Sequence, residues 1–282
     1  MSTTDDLAPR PVPATRHDQY RVDSERPIDL SEWDTSEKGG WEKAGAKEEL
    51  KRVRDRLVEL QPRLYAEGKR SVLVVFQAID AGGKDGTIRN VLKGVNPQGV
   101  RVASFKQPSK EELAHDFLWR IHQETPACGM IRVFNRSHYE DVLVVRVKNL
   151  VPERVWRPRY RTINEFERGL ALRGTAIVKI FLHISRDEQK ERFQARLDEP
   201  DKNWKFSVGD LDERALWDDY QAAFAEMIHR CSTPYAPWYV IPADRKWYRN
   251  LIITQLLVDV LEGMNPQYPE NEDDLTGIVI PD

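Results

Sequence analysis

The apolar residues of this chain follow two rhythms. Val72 to Phe76 is an unbroken apolar run with no alternation, the pattern of a strand buried on both faces of a parallel sheet. Shorter runs that read as strands begin at Val100, Met130, Ala176 and Trp238. Around them, apolar residues return at steps of three and four, which predicts helices. One covers 41–67 and carries Leu50, Val53, Leu57, Leu60 and Leu64; a short one follows Thr87, with Ile88, Val91 and Leu92. Another covers 113–124, with Leu113, Phe117, Leu118 and Ile121 on one side. Two more cover 211–231 (Leu216, Tyr220, Ala223, Phe224, Met227, Ile228) and 246–262 (Trp247, Leu251, Ile252, Leu256, Val258, Leu261). Strands alternating with helices predict an α/β fold whose ligand sits at the carboxyl ends of the strands.

Both termini lack either rhythm. Residues 1–40 are polar and rich in proline and charge, and read as an extended or partly disordered arm. Such an arm can wrap a neighbouring subunit, although nothing in the sequence requires it. Residues 41–264 form the periodic domain, and 265–282 read as an exposed acidic tail.

The chemistry is concentrated where the first strand ends. Asp80-Ala-Gly-Gly-Lys-Asp-Gly-Thr87 joins a strand to a helix, the context of a phosphate-binding loop. The glycines Gly82, Gly83 and Gly86 let backbone amides approach oxygens that a Cβ would block. The backbone of Ala81, Asp85 and Thr87 completes the cradle, and the following helix N-terminus favours negative charge. Lys84 adds a mobile cation that can follow a phosphoryl group. The loop departs from G-x-x-x-x-G-K-[ST] at two places: Ala78 stands at the first glycine and Asp85 at the hydroxyl that usually meets magnesium. Asp80 and Asp85 therefore flank Lys84, and either can hold Mg²⁺. The plain alternative is a glycine-rich turn with no ligand.

Further along, Met130-Ile-Arg-Val-Phe134 leads into Asn135-Arg136. A strand parallel to the first would place this pair beside Lys84. Arg136 offers a planar fork for an acceptor phosphate; Asn135 has no charge and offers only a carbonyl or an amide donor, which favours Asp80 as the metal ligand and leaves Asn135 and Arg136 as the candidate nucleotide contacts. His138 reads as a packed, hydrogen-bonded histidine, and Glu140 and Asp141 as the start of a helix. Arg186, Lys190, Arg192 and Arg196 share a helix over 187–197, followed by Lys202 and Lys205; Arg192 and Arg196 lie on one face. A solvated helix paired with Glu188 and Glu191 is the plain reading of that cluster. Arg154, Arg157, Arg159 and Arg161 alternate with Trp156 and Tyr160, without a recognised nucleic-acid motif, and read as a phosphate track or a helix start.

Five segments in order resemble the polyphosphate kinase 2 family: Phe76–Thr87, Phe134–Val142, Arg159–Glu167, Ser185–Arg196 with Lys202–Lys205, and Ala236–Val240. The resemblance spans 45–264. It implies a P-loop kinase fold like that of thymidylate kinase, with a parallel sheet flanked by helices and a helical lid over 185–210. It implies phosphoryl transfer between inorganic polyphosphate and adenine or guanine nucleotides, with Mg²⁺ or Mn²⁺, in a homo-oligomer. Asn135-Arg136-Ser-His-Tyr139 is most similar to the class III subgroup, which is associated with AMP as well as ADP. Many relatives outside it carry aspartate where Asn135 stands. The lid resemblance turns Arg196, Arg192, Lys202 and Lys205 into phosphate ligands, with Lys84, Asp80, Arg136 and Arg196 as the catalytic set.

Composition narrows the alternatives. The 282 residues are 32% charged and 40% hydrophobic with a net charge of −3, so a polyphosphate site must be a local basic channel. Cys128 and Cys231 have no metal spacing and predict a reducing, cytoplasmic setting. No apolar run reaches bilayer length, and the opening Met-Ser-Thr-Thr-Asp-Asp predicts no secretory signal. An ATP-dependent nucleoside monophosphate kinase is the competing enzyme, which Ala78 and Asp85 disfavour. A non-catalytic polyanion-binding protein would not need the carboxylates beside Lys84.

Overall fold

The computed structural model describes residues 8–271, 273, 275–276 and 278–281. Five strands, β1 Ser71–Gln77, β2 Val100–Ser104, β3 Ile131–Asn135, β4 Thr175–His183 and β5 Trp238–Pro242, form one sheet in the order β2-β3-β1-β4-β5. Every neighbouring pair is parallel. All seven residues of β1 are buried, as an unbroken apolar run at the centre of a helix-covered sheet requires. The flanking helices are α1 Lys43–Glu67, α2 Lys84–Val91, α3 Lys110–Ala114, α4 Trp119–His122, α5 Val144–Val147, α6 Glu153–Trp156, α7 Arg159–Leu172, α8 Arg186–Asp198, α9 Gly209–Ala215, α10 Trp217–Cys231 and α11 Lys246–Met264.

The strand order fixes the site. The chain leaves β1 towards β3 and β2, then returns to place β4 on the other side. Loops therefore part above the carboxyl end of β1, where α/β sheets open a binding crevice. The pairing of Phe76 with Asn135 brings the ends of β1 and β3 level.

Two helices differ from their periodicity. The 113–124 stretch is α3 and α4. Ser109 and Glu112 form a capping box that starts α3 early, and the Asp116 carboxylate accepts the Leu118 amide at 2.9 Å and restarts the chain. Leu118 and Ile121 are buried, but Leu113 is exposed. The 211–231 stretch breaks at Leu216, where α9 ends and α10 begins.

Residues 8–40 contain only short 3-10 turns, yet Val12, Tyr20, Val22 and Leu30 join the main core. The Val22 amide donates to the Trp238 carbonyl (2.9 Å), and Arg21 bridges Tyr239 antiparallel. This segment covers the edge strand β5 of its own sheet, an edge that would otherwise leave backbone groups unpaired. Among the described residues, no helix is long and apolar enough to cross a membrane.

Candidate active site

The loop after β1 turns sharply. Ala81 has φ +59° and Gly83 has φ +96°. A Cβ at Gly83 would lie 2.5 Å from Arg249 Nη1, and one at Gly82 2.5 Å from Ala78 Cβ and 2.8 Å from the Ile79 carbonyl, so close approach requires glycine at 82 and the left-handed backbone favours it at 83. Lys84 curls back and donates from Nζ to the Ala78 carbonyl at 2.8 Å. Burial and the Arg136 charge push its pKa down to about 8, against the opposing pull of Asp80, Glu140 and Asp85. Thr87 does not join the cradle. It is fully buried, and both its amide and its hydroxyl donate to the Gly83 carbonyl, at 3.0 and 2.9 Å. One helical turn separates the two residues, so the hydroxyl finds its acceptor inside the helix.

The second segment arrives level with the loop. The Arg136 amide donates to the Phe76 carbonyl (3.1 Å), and its backbone is left-handed, φ +60°. Two non-glycine residues in this region, Ala81 and Arg136, each store about 1–2 kcal/mol of strain. Arg136 Nη2 reaches Asp80 Oδ1 at 2.9 Å, with Glu140 at 3.8 Å. Burial works against the Arg136 charge, but Glu140 and Asp80 outweigh it and raise its pKa. Asn135, expected to face a nucleotide, donates from Nδ2 to Asp85 Oδ1 at 2.6 Å. Glu140 and Asp141 lie in a 3-10 turn, His138–Asp141, capped by the Ser137 hydroxyl. His138 is buried and shares Glu167 Oε1 with the Tyr139 hydroxyl, at 3.2 and 2.7 Å.

The cations of 186–205 divide. Arg192 is nearly buried, and its donors hold Glu188 Oε1 (2.6 Å), the Ala81 carbonyl (3.0 Å) and the Ala243 carbonyl (2.6 Å). It clamps the loop to α8, whereas the sequence suggested a mobile phosphate ligand. Gln189 Nε2 adds a bond to the Asp80 carbonyl at 2.9 Å. Arg196 pairs with Asp210 at 3.1 Å, and Lys202 with Glu199. Lys205 lies over the exposed Trp204 ring. Of the arginines at 154–161, Arg157 pairs with Glu153 and Arg159 with Asp141, so their ordered contacts lie at helix starts.

These groups line two joined cavities. A cleft of about 610 Å³ runs over Asp80–Gly86, Asn135, Arg136, Arg192, Arg196, Lys202 and Lys205. Its walls carry nine lysines and arginines against three aspartates, a local basic channel on a chain whose net charge is −3. A pocket of about 580 Å³ opens beside it, lined by apolar residues that include Phe105, Leu143, Val144 and Phe224. Leu113, outside the core, lines this pocket. The two cavities meet at Asp80, Phe105, Lys106, Gln107 and Arg136.

Comparison with known proteins decides the family. Residues 40–269 match the model of polyphosphate kinase 2 (PPK2). The chain belongs to the polyphosphate kinase 2 family. It is 57% identical over 264 residues to the AMP/ADP-polyphosphate phosphotransferase of Meiothermus ruber, covering 93% of this chain and 99% of that one. It is 47% identical over 265 residues to the ADP-polyphosphate phosphotransferase of Rhodopseudomonas palustris, covering 89% and 92%. The crystal structure of polyphosphate kinase 2 from Arthrobacter aurescens TC1 superimposes with a TM-score of 0.89 at 43% identity, over 95% of this chain and 96% of that one.

Three basic residues of this polyphosphate kinase 2 cleft were not singled out from the sequence: Lys106, Lys246 and Arg249. Lys106 lies two residues beyond the end of β2 and carried no pattern. Arg249 did carry a signal. It interrupts Trp247-Tyr-Arg-Asn-Leu-Ile-Ile253, in a helix with thirteen buried residues, and an arginine in such a stretch is almost never buried without a partner.

Proposed function

We propose that this enzyme transfers phosphoryl groups between inorganic polyphosphate and AMP or ADP, with a divalent cation, as a class III member of its family. The observation that carries this is the joining of an apolar pocket to a nine-cation cleft at Asp80 and Arg136. The pocket has the size and lining of a small-molecule site, and it suits a nucleoside. A nucleotide seated there brings its phosphate to Arg136. The donor chain then lies along the loop amides, Lys84 and Arg196, with Lys202 and Lys205 above it.

An oxygen of the acceptor phosphate attacks the terminal phosphorus of the chain, and the bond from that phosphorus to its bridging oxygen breaks. The attacking oxygen is already anionic, so no strong base is needed. Catalysis is positioning and charge neutralisation by Lys84, Arg136 and Arg196. Asp80 keeps a partly exposed carboxylate at the junction, tied on one oxygen to Arg136. Among the described residues there is no group of three or more histidine, cysteine or carboxylate ligands. That suits Mg²⁺, which keeps waters and takes one or two carboxylates plus substrate phosphates. When bound, Mg²⁺ would offset charge between donor and acceptor oxygens.

A relative named for both AMP and ADP at 57% identity supports both acceptors. Use of guanine nucleotides or Mn²⁺, a homo-oligomeric assembly and a cytoplasmic location are carried by the family resemblance alone. The test is to incubate the purified protein with Mg²⁺, polyphosphate and AMP or ADP, without ATP, and follow the nucleotides. ADP and ATP should form. No product from either acceptor would overturn the reading, and product only when ATP replaces polyphosphate would make it a nucleoside monophosphate kinase.

A further inference from the structure

Arg249 is 3% exposed, and its Nη1 has no hydrogen-bond partner among the described residues. Its other donors, Nε and Nη2, reach only the side-chain oxygen of its neighbour Asn250, at 3.2 and 3.0 Å. No carboxylate among the described residues pairs with it. Glu188, which acts on it from a distance, is held by Arg192. A buried cation with no counterion is strongly unfavourable unless an anion completes it. Nη1 is aimed at the phosphate loop, close enough that a Cβ on Gly83 would clash with it. Lys246, one helical turn earlier on α11, lines the same cleft, and Lys202 and Arg192 act on it as neighbouring like charges.

We propose that Arg249 and Lys246 form a phosphate subsite at the start of α11, which holds the donor polyphosphate chain beyond the phosphate taken by the loop. This rests on the reading of the cleft as a polyphosphate site. A phosphate there could belong to the donor chain or to a nucleotide. Position favours the donor. The apolar pocket reaches the cleft only at the Asp80–Arg136 end, and neither Gly83, Lys246 nor Arg249 lines it. A nucleotide seated by its base enters from that end, while α11 flanks the other side of the loop. The amides of the first turn of α11 add to the same positive end.

The test is calorimetric binding of polyphosphate and, separately, of AMP and ATP to the full-length protein and to Arg249→Met, Arg249→Lys and Lys246→Ala. Loss of one charge-assisted contact should raise the polyphosphate Kd about tenfold in Arg249→Met. Arg249→Lys should recover part of that loss, and AMP and ATP should change less than about twofold. A steady-state assay should show the same split, with the polyphosphate KM rising and the nucleotide KM unmoved. Unchanged polyphosphate affinity would make Arg249 a brace for the loop. A loss confined to ATP would assign the subsite to the nucleotide, and either result overturns the proposal. If Arg249→Met fails to fold, Lys246→Ala decides on the same outcomes, because Lys246 is exposed and its truncation leaves the core intact. Failure of the unaltered protein to bind polyphosphate would instead sink the functional reading beneath it.

Discussion

Two buried cation sites of this protein are built in opposite ways. Behind the second segment, Lys179 on β4 is wholly buried and finds three acceptors: the Tyr139 hydroxyl (2.8 Å), Glu167 Oε2 (2.5 Å) and the Cys231 carbonyl (2.6 Å). An ammonium has three protons, and each has an acceptor. Burial would raise the Glu167 pKa, but Lys179 and His138 outweigh it and hold it below the ordinary value; burial keeps His138 neutral at its side. Around the phosphate loop, among the described residues, Lys84 has one backbone acceptor and Arg249 only its neighbour's amide oxygen. The first site is complete without a ligand and anchors the turn that carries Arg136. The second is completed only by an anion. Lys179 and Arg249 are both buried, so burial alone does not separate structure from function; the tally of unmet donors does.

The largest effect should fall on the closed site. Lys179→Met leaves Glu167 buried without its counter-charge, and should cost about 3–5 kcal/mol in urea unfolding. Adding Glu167→Leu should recover much of that; a single variant as stable as the parent would show that the network is not closed in this sense. On the open side, Lys84→Ala should lower kcat about 10²–10³-fold with an unchanged Tm. Near-normal turnover would remove Lys84 from the chemistry.

A smaller effect is the pH dependence of the open site. Lys84 is charged below its depressed pKa of about 8 and neutral above it. The groups that face it are Arg136, Asp80, Glu140 and Asp85. With polyphosphate limiting, kcat/KM should therefore fall above pH 8, and kcat should hold to higher pH because bound phosphate stabilises the ammonium. A flat profile to pH 9.5 would contradict this. Glu167 works the other way. Its lowered pKa contributes stability that is present above the unfolded value and lost as the pH falls through and below the ordinary carboxylate range. The smallest change expected is that of Asn135→Asp, which sets a second carboxylate against Asp85. Competition assays with AMP, ADP, Mg²⁺ and Mn²⁺ should show a shift in acceptor or metal preference of about 1 kcal/mol or less, without collapse of turnover.

Much of this was legible in advance. The five expected strands begin within one residue of the observed ones, because a fully buried parallel strand is written as a short unbroken apolar run. Leu50, Val53, Leu57, Leu60 and Leu64 are buried on α1 as their spacing required. The helix breaks at His115–Leu118 and Leu216 were missed; at the first, side-chain caps outweigh periodicity over a few residues. The expected loop and second segment line one cleft with Arg192, Arg196, Lys202 and Lys205, whereas Arg186 and Lys190 of the same helix lie outside it. Their individual tasks were less legible. Arg192 and Arg196 look alike in sequence, four residues apart, yet one ties the Ala81 carbonyl of the loop to the Ala243 carbonyl after β5 and the other reaches Asp210. Thr87 reads as a loop hydroxyl until its helix supplies an acceptor.

The sequence by itself determined the strand-loop-helix unit, the presence of cations and carboxylates around it, and the family. Those depend on short-range geometry and on residues adjacent in the chain. Only the tertiary structure decided which charges are satisfied. Lys179 meets Glu167 across a strand and a helix, and Arg249 reaches Gly83 from 166 positions away. An ion pair at such separation is a property of packing, and so is its absence.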